Sequence, residues 1–282
     1  MIAVLGSTGM LGSYICDDLE KSDKDYVGLS RKANQNFSFE NPNEIIKILS
    51  DINPRKVINC VANTSIDGCE ANQDLSFQIN AETPGKISKF CYENKIKFLH
   101  ISSDHFYKST GLVAHSESNK VFPVNFYAKS KLAAEELILS NNPSALIIRT
   151  SIIGRSPSGS SFLDWLLNSI KKNDEILLFE DAFTSFIHCG QLSKLLLKVI
   201  STERNGIFNI ASSDVFSKAD FALLFAKTIK KNISYKLGSV STLKTKRSFS
   251  CGLNSELARK EFNISLPDLQ EVITYTIKKE GI

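Results

Sequence analysis

The first fifteen residues, MIAVLGSTGMLGSYI, constrain the fold more than any other stretch. An apolar run, IAVL (2–5), is followed at once by Gly6, Gly9 and Gly12 at GxxGxxG spacing, then by a helical pattern from about Met10 to Lys21. Glycine permits the tight turn and the close approach of a pyrophosphate, which then rests on the amides of the helix N-terminus. Turns need glycine in any case. What predicts a dinucleotide site is the position of these glycines after the first strand of an alternating chain. The expected cradle is Gly6, Ser7, Thr8, Gly9, Met10, Leu11 and Gly12.

The alternation continues. YVGL (26–29) reads as a strand, NEIIKILSDI (43–52) as a helix and KVINCV (56–61) as a strand. Residues 74–95 read as one long helix, interrupted or shifted near Pro84. KFLHIS (97–102) is the next strand, a helix opens at NFYAKSK (125–131), and ALIIRT (145–150) is a further strand. Apolar runs separated by helices indicate parallel strands covered on both faces. The expected fold class is therefore α/β, a Rossmann-type doubly wound parallel sheet, with residues 1–150 as the dinucleotide-binding domain. Beyond Arg149 the pattern loosens into a Gly/Ser/Pro loop (154–161), helices at 162–172, 190–200 and 218–231, short strands at 175–179 and 206–211, and a polar, irregular stretch over 235–252. Residues 151–282 are read mainly as a smaller C-terminal substrate-binding lobe, with segments near 185–212 packing back on the first domain.

The chain has 282 residues, 42% hydrophobic and 23% charged, with a net charge of +4. Scattered cations and so small a net charge disfavour nucleic acid or a membrane surface as partner. No apolar stretch approaches the ~18 residues of a membrane span, and the opening MIAVLG carries no leader pattern. The six cysteines form no CxxC pair, which predicts reduced thiols in the cytoplasm. His100, His105, His115 and His188 show no ligand spacing, so no metal site is expected.

The second strand ends GLSRKA (28–33), with Ser30, Arg31 and Lys32 where an NAD site usually offers an acidic side chain to the ribose. A carboxylate would repel a 2′-phosphate, whereas Arg31 and Lys32 would neutralise it. NADP, with NADPH preferred over NADH, is the expected cofactor; the plain alternative is a pair of solvated loop charges.

Tyr127 and Lys131 stand four residues apart at the start of a helix, so hydroxyl and ammonium share one face. LHISSDHF (99–106) brings Ser103 and Asp104 to the carboxyl end of a strand, where ligands bind in such sheets. A phenol of pKa about 10 next to an ammonium suits proton donation to a carbonyl oxygen that is gaining a hydride. A strand-end hydroxyl suits the developing oxyanion. A surface Tyr–Lys pair is the alternative that needs no chemistry.

This set of Ser103, Tyr127 and Lys131, in this chain order, resembles the extended short-chain dehydrogenase/reductase family. Within it the chain looks most like the dTDP-4-dehydrorhamnose reductase group. The resemblance runs nearly end to end, through GSTGMLG, VINCVANTSIDGCE (57–70), INAETPGKI (79–87), HISSDHFY (100–107), FYAKSKLAAEE (126–136), RTSIIG (149–154), SFIHCGQLSKLL (185–196) and GIFNIA (206–211). It implies reduction of a 4-keto-6-deoxy nucleotide sugar by NADPH, in deoxysugar and cell-surface polysaccharide biosynthesis. It further implies that Ala62, Asn63 and Thr64 line the cofactor, that Lys131 binds the nicotinamide ribose and that Asn80 holds a relay water. Ser103 and Asp104 would then meet the sugar and Arg247 the nucleotide pyrophosphate; for Asp104 a turn cap is an equal reading. Members commonly read STDYVFDG where this chain has SSDHFYKS, and Pro where Ser248 follows Arg247. Ser185 and Phe186 stand where Pro-Thr is usual, so the sugar is left open. An epimerase on the same scaffold, or a non-catalytic NADP-binding subunit like that of methionine adenosyltransferase, are the alternatives. A dehydratase is disfavoured by His105 standing where that group places Glu. A homodimer is one of the oligomeric states left open.

Overall fold

Residues 1–31 and 38–282 are described by a computed structural model of the chain. The short apolar runs form strands and the amphipathic stretches between them form helices. In chain order these are β1 (Ile2–Leu5), α1 (Met10–Lys21), β2 (Tyr26–Leu29), α2 (Pro42–Ile52), β3 (Lys56–Asn59), α3 (Ile66–Ala71), α4 (Gln73–Phe77), α5 (Thr83–Glu93), β4 (Lys97–Ile101), α6 (Phe126–Asn141) and β5 (Leu146–Arg149). Then come β6 (Ile152–Ile153), α7 (Phe162–Lys172), β7 (Glu175–Phe179), β8 (Phe183–Thr184), β9 (Ile187–His188), α8 (Cys189–Val199), β10 (Gly206–Asn209), β11 (Phe216–Ser217), α9 (Lys218–Thr228), β12 (Ser234–Gly238), α10 (Glu256–Phe262) and α11 (Leu269–Glu280).

The central sheet runs β2-β1-β3-β4-β5-β10, and the five strands from β2 to β5 pair in parallel. The chain steps from β1 to β2 on one side and to β3 on the other. Strand order therefore reverses beside β1, the switch point where open α/β sheets take ligands at their carboxyl ends. Successive strand residues alternate between two buried faces. Ala3, Leu5, Val57, Phe98 and Ile147 pack with Ile45 and Leu49 of α2, Ile87 of α5 and Ile138 of α6. Val4, Ile58, Leu99 and Ile148, pointing the other way, are equally buried. A sheet buried on both faces is the doubly wound arrangement expected from the sequence.

By contact the chain divides into two compact units. The first comprises residues 1–103, 125–149 and 193–208; the second comprises 104–124, 150–192 and 209–282. The second unit has its own core, where Phe186, Phe216, Phe221 and Phe225 gather with Leu163, Leu166, Val272 and Ile273. Its helices start on capping boxes, Ser161 with Asp164, Ser217 with Asp220 and Asp268 with Glu271, each satisfying amides that the first turn leaves unbonded.

One local expectation is sharpened and one corrected. The long helix over 74–95 is α4 and α5 joined by a π-helical turn, Gln78–Glu82. Thr83 N–H bonds Gln78 O, five residues back, and Pro84 has no N–H to offer Asn80 four residues back. Within the stretch expected to be irregular, β12 pairs in parallel with β7. Its residues, SYKLG, are exposed along most of their length, so no alternation marks them as a strand. No helix among the described residues is long and apolar enough to cross a membrane.

Candidate active site

The glycine turn after β1 is built so that Gly6 and Gly12 are required. Gly6 has φ +83°, and a Cβ on Gly12 would sit 2.1 Å from the Gly6 carbonyl oxygen. Gly9 N–H donates to that same oxygen at 2.9 Å, and Gly6 N–H donates to Leu29 O at 2.8 Å, which seats the turn against β2. No side chain caps α1, whose N-cap is Gly9, so its first amides are left for a ligand. At the tip of β2, Ser30 is buried and its Oγ has no hydrogen-bond partner among the described residues. An uncapped twelve-residue helix, a turn too tight for side chains and an unpartnered buried hydroxyl together fit a dinucleotide. Arg31 is exposed at the same tip. Lys32 lies outside the described residues.

The four-residue Tyr–Lys spacing folds as expected, in the first turns of α6, with Asn125 Oδ1 accepting from Ala128 N–H at 2.9 Å as its cap. Glu70 Oε1 also accepts from Phe126 N–H at 2.7 Å. That contact explains Glu70 as a brace for the helix start, with its charge at the favourable end of the dipole. Neither Tyr127 nor Lys131 is a surface residue: their exposures are 9% and 1%. Lys131 Nζ donates to Ile101 O at 2.8 Å and lies 2.9 Å from His100 Nε2. Burial pushes its pKa down to about 8, against the opposing pull of Glu135 and Cys60. Ser103, two residues beyond that carbonyl at the end of β4, is buried at 3% exposure.

Asn80 lies in the π-helical turn with its side chain fully buried. Oδ1 accepts from Asn63 N–H at 2.7 Å, and Nδ2 donates to Asn63 O and to Ser130 Oγ, each at 3.0 Å. Ser130 Oγ in turn donates to Tyr127 O at 2.8 Å. The side chain thus ties the loop after β3, where Ala62 and Asn63 are half-buried and Thr64 is exposed, to the helix of Tyr127. In this structure the Asn80 side chain acts as a brace.

In the second unit, Asp104 is buried and His105 Nε2 lies 3.7 Å from its Oδ1. A carboxylate oxygen, an imidazole nitrogen and the Cys251 sulfur come within 4.8 Å of one another there. Burial and then Asp104 hold the Cys251 thiol well above its ordinary range, so it stays protonated. Burial also holds His105 down, and the Lys218 and Arg247 charges act in the same direction. A protonated thiol, in a group that feels the Lys218 and Arg247 charges, makes a poor cation site, and Arg247 is half-buried there.

The sequence reading misses the supports behind the pair. Glu135, one turn beyond Lys131, is 2% exposed and takes Arg149 Nε at 3.0 and 3.2 Å, Nη2 at 2.7 Å and Ser102 Oγ at 2.5 Å. That ion pair pins the ends of β4 and β5 to α6. Tyr127, Lys131 and Glu135 at i, i+4 and i+8 are a signal of one shared face that could have found it. Asn59 and His100 carry no such signal, since they become neighbours only through strand register.

A family model described as RmlD substrate binding domain matches residues 1–281. The "Probable low-salt glycan biosynthesis reductase Agl14" of Haloferax volcanii is 26% identical over 229 residues, spanning 77% of this chain and 76% of its own. The dTDP-4-dehydrorhamnose reductase of Salmonella typhimurium is 25% identical over 242 residues, spanning 81% of each chain. The solved structure of a dTDP-4-dehydrorhamnose reductase of Bacillus anthracis in complex with NADP superposes with a TM-score of 0.91. It covers 99% of this chain and 98% of its own at 21% identity, a likeness of fold.

Proposed function

The chain belongs to the RmlD substrate binding domain family, and from that premise we propose that it is an NADP-dependent reductase of a 4-keto-6-deoxy nucleotide sugar, an oxidoreductase of the dTDP-4-dehydrorhamnose reductase kind. The observation that carries the reading is the buried pair at the start of α6. Tyr127 and Lys131 are withdrawn from solvent one turn apart, and Nζ is fixed by Ile101 O beside the strand end that bears Ser103. A surface pair would be solvated and mobile. The reductase names of both curated relatives point the same way, one of them to glycan biosynthesis.

Gly6, Ser7, Thr8, Gly9, Met10, Leu11 and Gly12 hold the pyrophosphate of the cofactor. Ser30 and Arg31 meet its adenosine ribose, and Ala62, Asn63 and Thr64 line its path. When bound, the nicotinamide supplies the hydride that reduces the ketone carbon. Tyr127 Oη gives its proton to the carbonyl oxygen, so the ketone leaves as an alcohol and a phenolate remains. The ammonium form of Lys131 favours that phenolate, and Ser103 donates to the oxygen while it carries charge. Arg247 takes the substrate's pyrophosphate and Asp104 its sugar hydroxyls. The place of work on this reading is the cytoplasm. NADPH oxidation tested against dTDP-, UDP-, GDP- and CDP-linked 4-keto-6-deoxy sugars decides the matter: turnover of one of them is expected, and turnover of none refutes the reading.

A further inference from the structure

Two buried polar side chains, Asn59 and His100, stand outside the chemistry assigned so far. They end β3 and nearly end β4, and strand register sets them side by side. Both are almost without exposure, 2% and 0%. Their hydrogen bonds have only one consistent direction. Val61 N–H, a donor that cannot be otherwise, gives to Asn59 Oδ1 at 3.0 Å. The amide nitrogen therefore faces His100 Nδ1 at 3.1 Å, and Nδ1 must accept. A neutral imidazole that accepts at Nδ1 carries its proton on Nε2, and burial keeps this imidazole neutral. The atom 2.9 Å from Nε2 is Lys131 Nζ. An ammonium has no lone pair to receive that proton; an amine has one. Turning the Asn59 amide over moves the conflict and does not remove it, because its NH2 would then face Val61 N–H.

We propose that Asn59 and His100 are positioning residues that bias the charge state of Lys131: His100 Nε2–H donates to Nζ in its amine form, which makes the lysine give up its proton more readily than an ordinary one. Loading it with a proton requires this row of donors to reorganise. The row runs from Val61 N–H through Asn59, His100 and Lys131 to Ile101 O, all satisfied in one direction. The titratable groups facing Nζ are His100 from β4, Cys60 from the loop after β3 and Glu135 from α6, with Tyr127 one turn earlier on that helix. Glu135 favours the ammonium form, while burial and the His100 proton favour the amine. For the kinetic consequence, which rests on the reductase reading, turnover requires the ammonium. Its decline on the alkaline side then reports the midpoint of Lys131 and is set by residues that touch neither substrate nor cofactor.

Asn59→Asp tests this with almost no change of shape. A carboxylate accepts from Val61 N–H as the amide oxygen does, but it also accepts from His100. The imidazole proton moves to Nδ1, Nε2 becomes an acceptor, and the ammonium gains a partner. In cofactor-free protein labelled in lysine and histidine, NMR of the Lys131 side chain, assigned with Lys131→Arg, gives the midpoint directly. The parent should show the Nε2–H tautomer of His100 and a Lys131 midpoint about two units below an ordinary lysine. Asn59→Asp should raise that midpoint by about one unit or more and carry the alkaline limb of kcat with it. A merely structural Asn59 would lower stability and leave the midpoint where it was. An Nδ1–H tautomer in the parent, an ordinary lysine midpoint, or an unmoved midpoint in Asn59→Asp overturns the proposal; if the variant does not fold, the parent tautomer decides. Both NMR readings need no turnover. Absence of activity on every keto sugar therefore sinks the reductase reading alone, and an active enzyme with an unmoved midpoint sinks this one alone.

Discussion

Replacing Glu135 with Leu takes the carboxylate away from a buried guanidinium. Arg149 is 4% exposed, and three of its hydrogen-bond contacts end on this one carboxylate, which also receives Ser102 Oγ. Breaking a buried pair from one side typically costs roughly 3–5 kcal/mol, because the remaining charge keeps its desolvation and loses the paired carboxylate. At about 2–3 °C per kcal/mol in a chain of this size, Tm should fall by roughly 6–15 °C. Removing both charges, as Glu135→Leu with Arg149→Met, should be less damaging than either single change. What then remains is the lost acceptor of Ser102, about 1 kcal/mol, and imperfect packing. Thermal unfolding followed by circular dichroism over the four proteins gives the coupling. The single variant carries a second readout, since Glu135 favours the charged form of Lys131: without it the alkaline limb of turnover should move to lower pH. Losses in the two singles that simply add in the double, or a single variant within about 1 kcal/mol of the parent, would show that the pair behaves as if solvated and refute the reasoning.

Gly12→Ala places a Cβ against the Gly6 carbonyl, so the turn must open; cofactor binding measured by calorimetry should be lost or weakened by at least about tenfold while the remaining fold survives. Arg31→Ala should erase most of the preference for NADPH over NADH, a loss on the order of 1–3 kcal/mol in the difference of binding energies; equal affinities in the parent would remove the NADP assignment and leave the dinucleotide site. Stability should fall as pH drops below 6.5, because the unfolded chain takes up a proton at His100 that burial, and then the Lys131 charge, deny to the folded one. The depressed folded pKa means stability is kept above the unfolded value and lost below it. Urea midpoints at pH 7.5 and 5.5 in the parent and in His100→Phe check this, the variant losing less.

Much of the first unit was legible because its signals are local. The glycine turn and the apolar periods fix β1, α1 and β2 within the residues that encode them, and the YxxxK pair marks its own helix. The supports of the site were not legible, for a physical reason. Asn59 and His100 are 41 residues apart and meet only because β3 and β4 pair in that register. Arg149 finds Glu135 across 14 residues only after β5 has joined the sheet. His100 in particular reads in sequence as one polar residue inside an apolar strand, which is also how an inert core histidine reads. The π-helical turn before Pro84 was half visible: proline announces a break but not its form. β12 was invisible because an exposed, two-stranded edge needs no apolar alternation. The group of Asp104, His105 and Cys251 likewise joins positions too distant for any ligand spacing to suggest.

The central claim is that Tyr127 delivers the proton that accompanies a hydride to the ketone. The most direct measurement supplies deuterated NADPH, labelled at the transferable position, with dTDP-4-keto-6-deoxy sugar, and reads the product by mass spectrometry and proton NMR. The parent should yield a 4-hydroxy sugar one mass unit heavier, with deuterium on C4 alone. Tyr127→Phe, which keeps the buried ring and removes one oxygen, should bind NADPH as the parent does and form that product about 10²–10⁴-fold more slowly. Label absent from C4, or a Tyr127→Phe protein within about threefold of the parent and so outside the range of lost general-acid catalysis, would contradict the account.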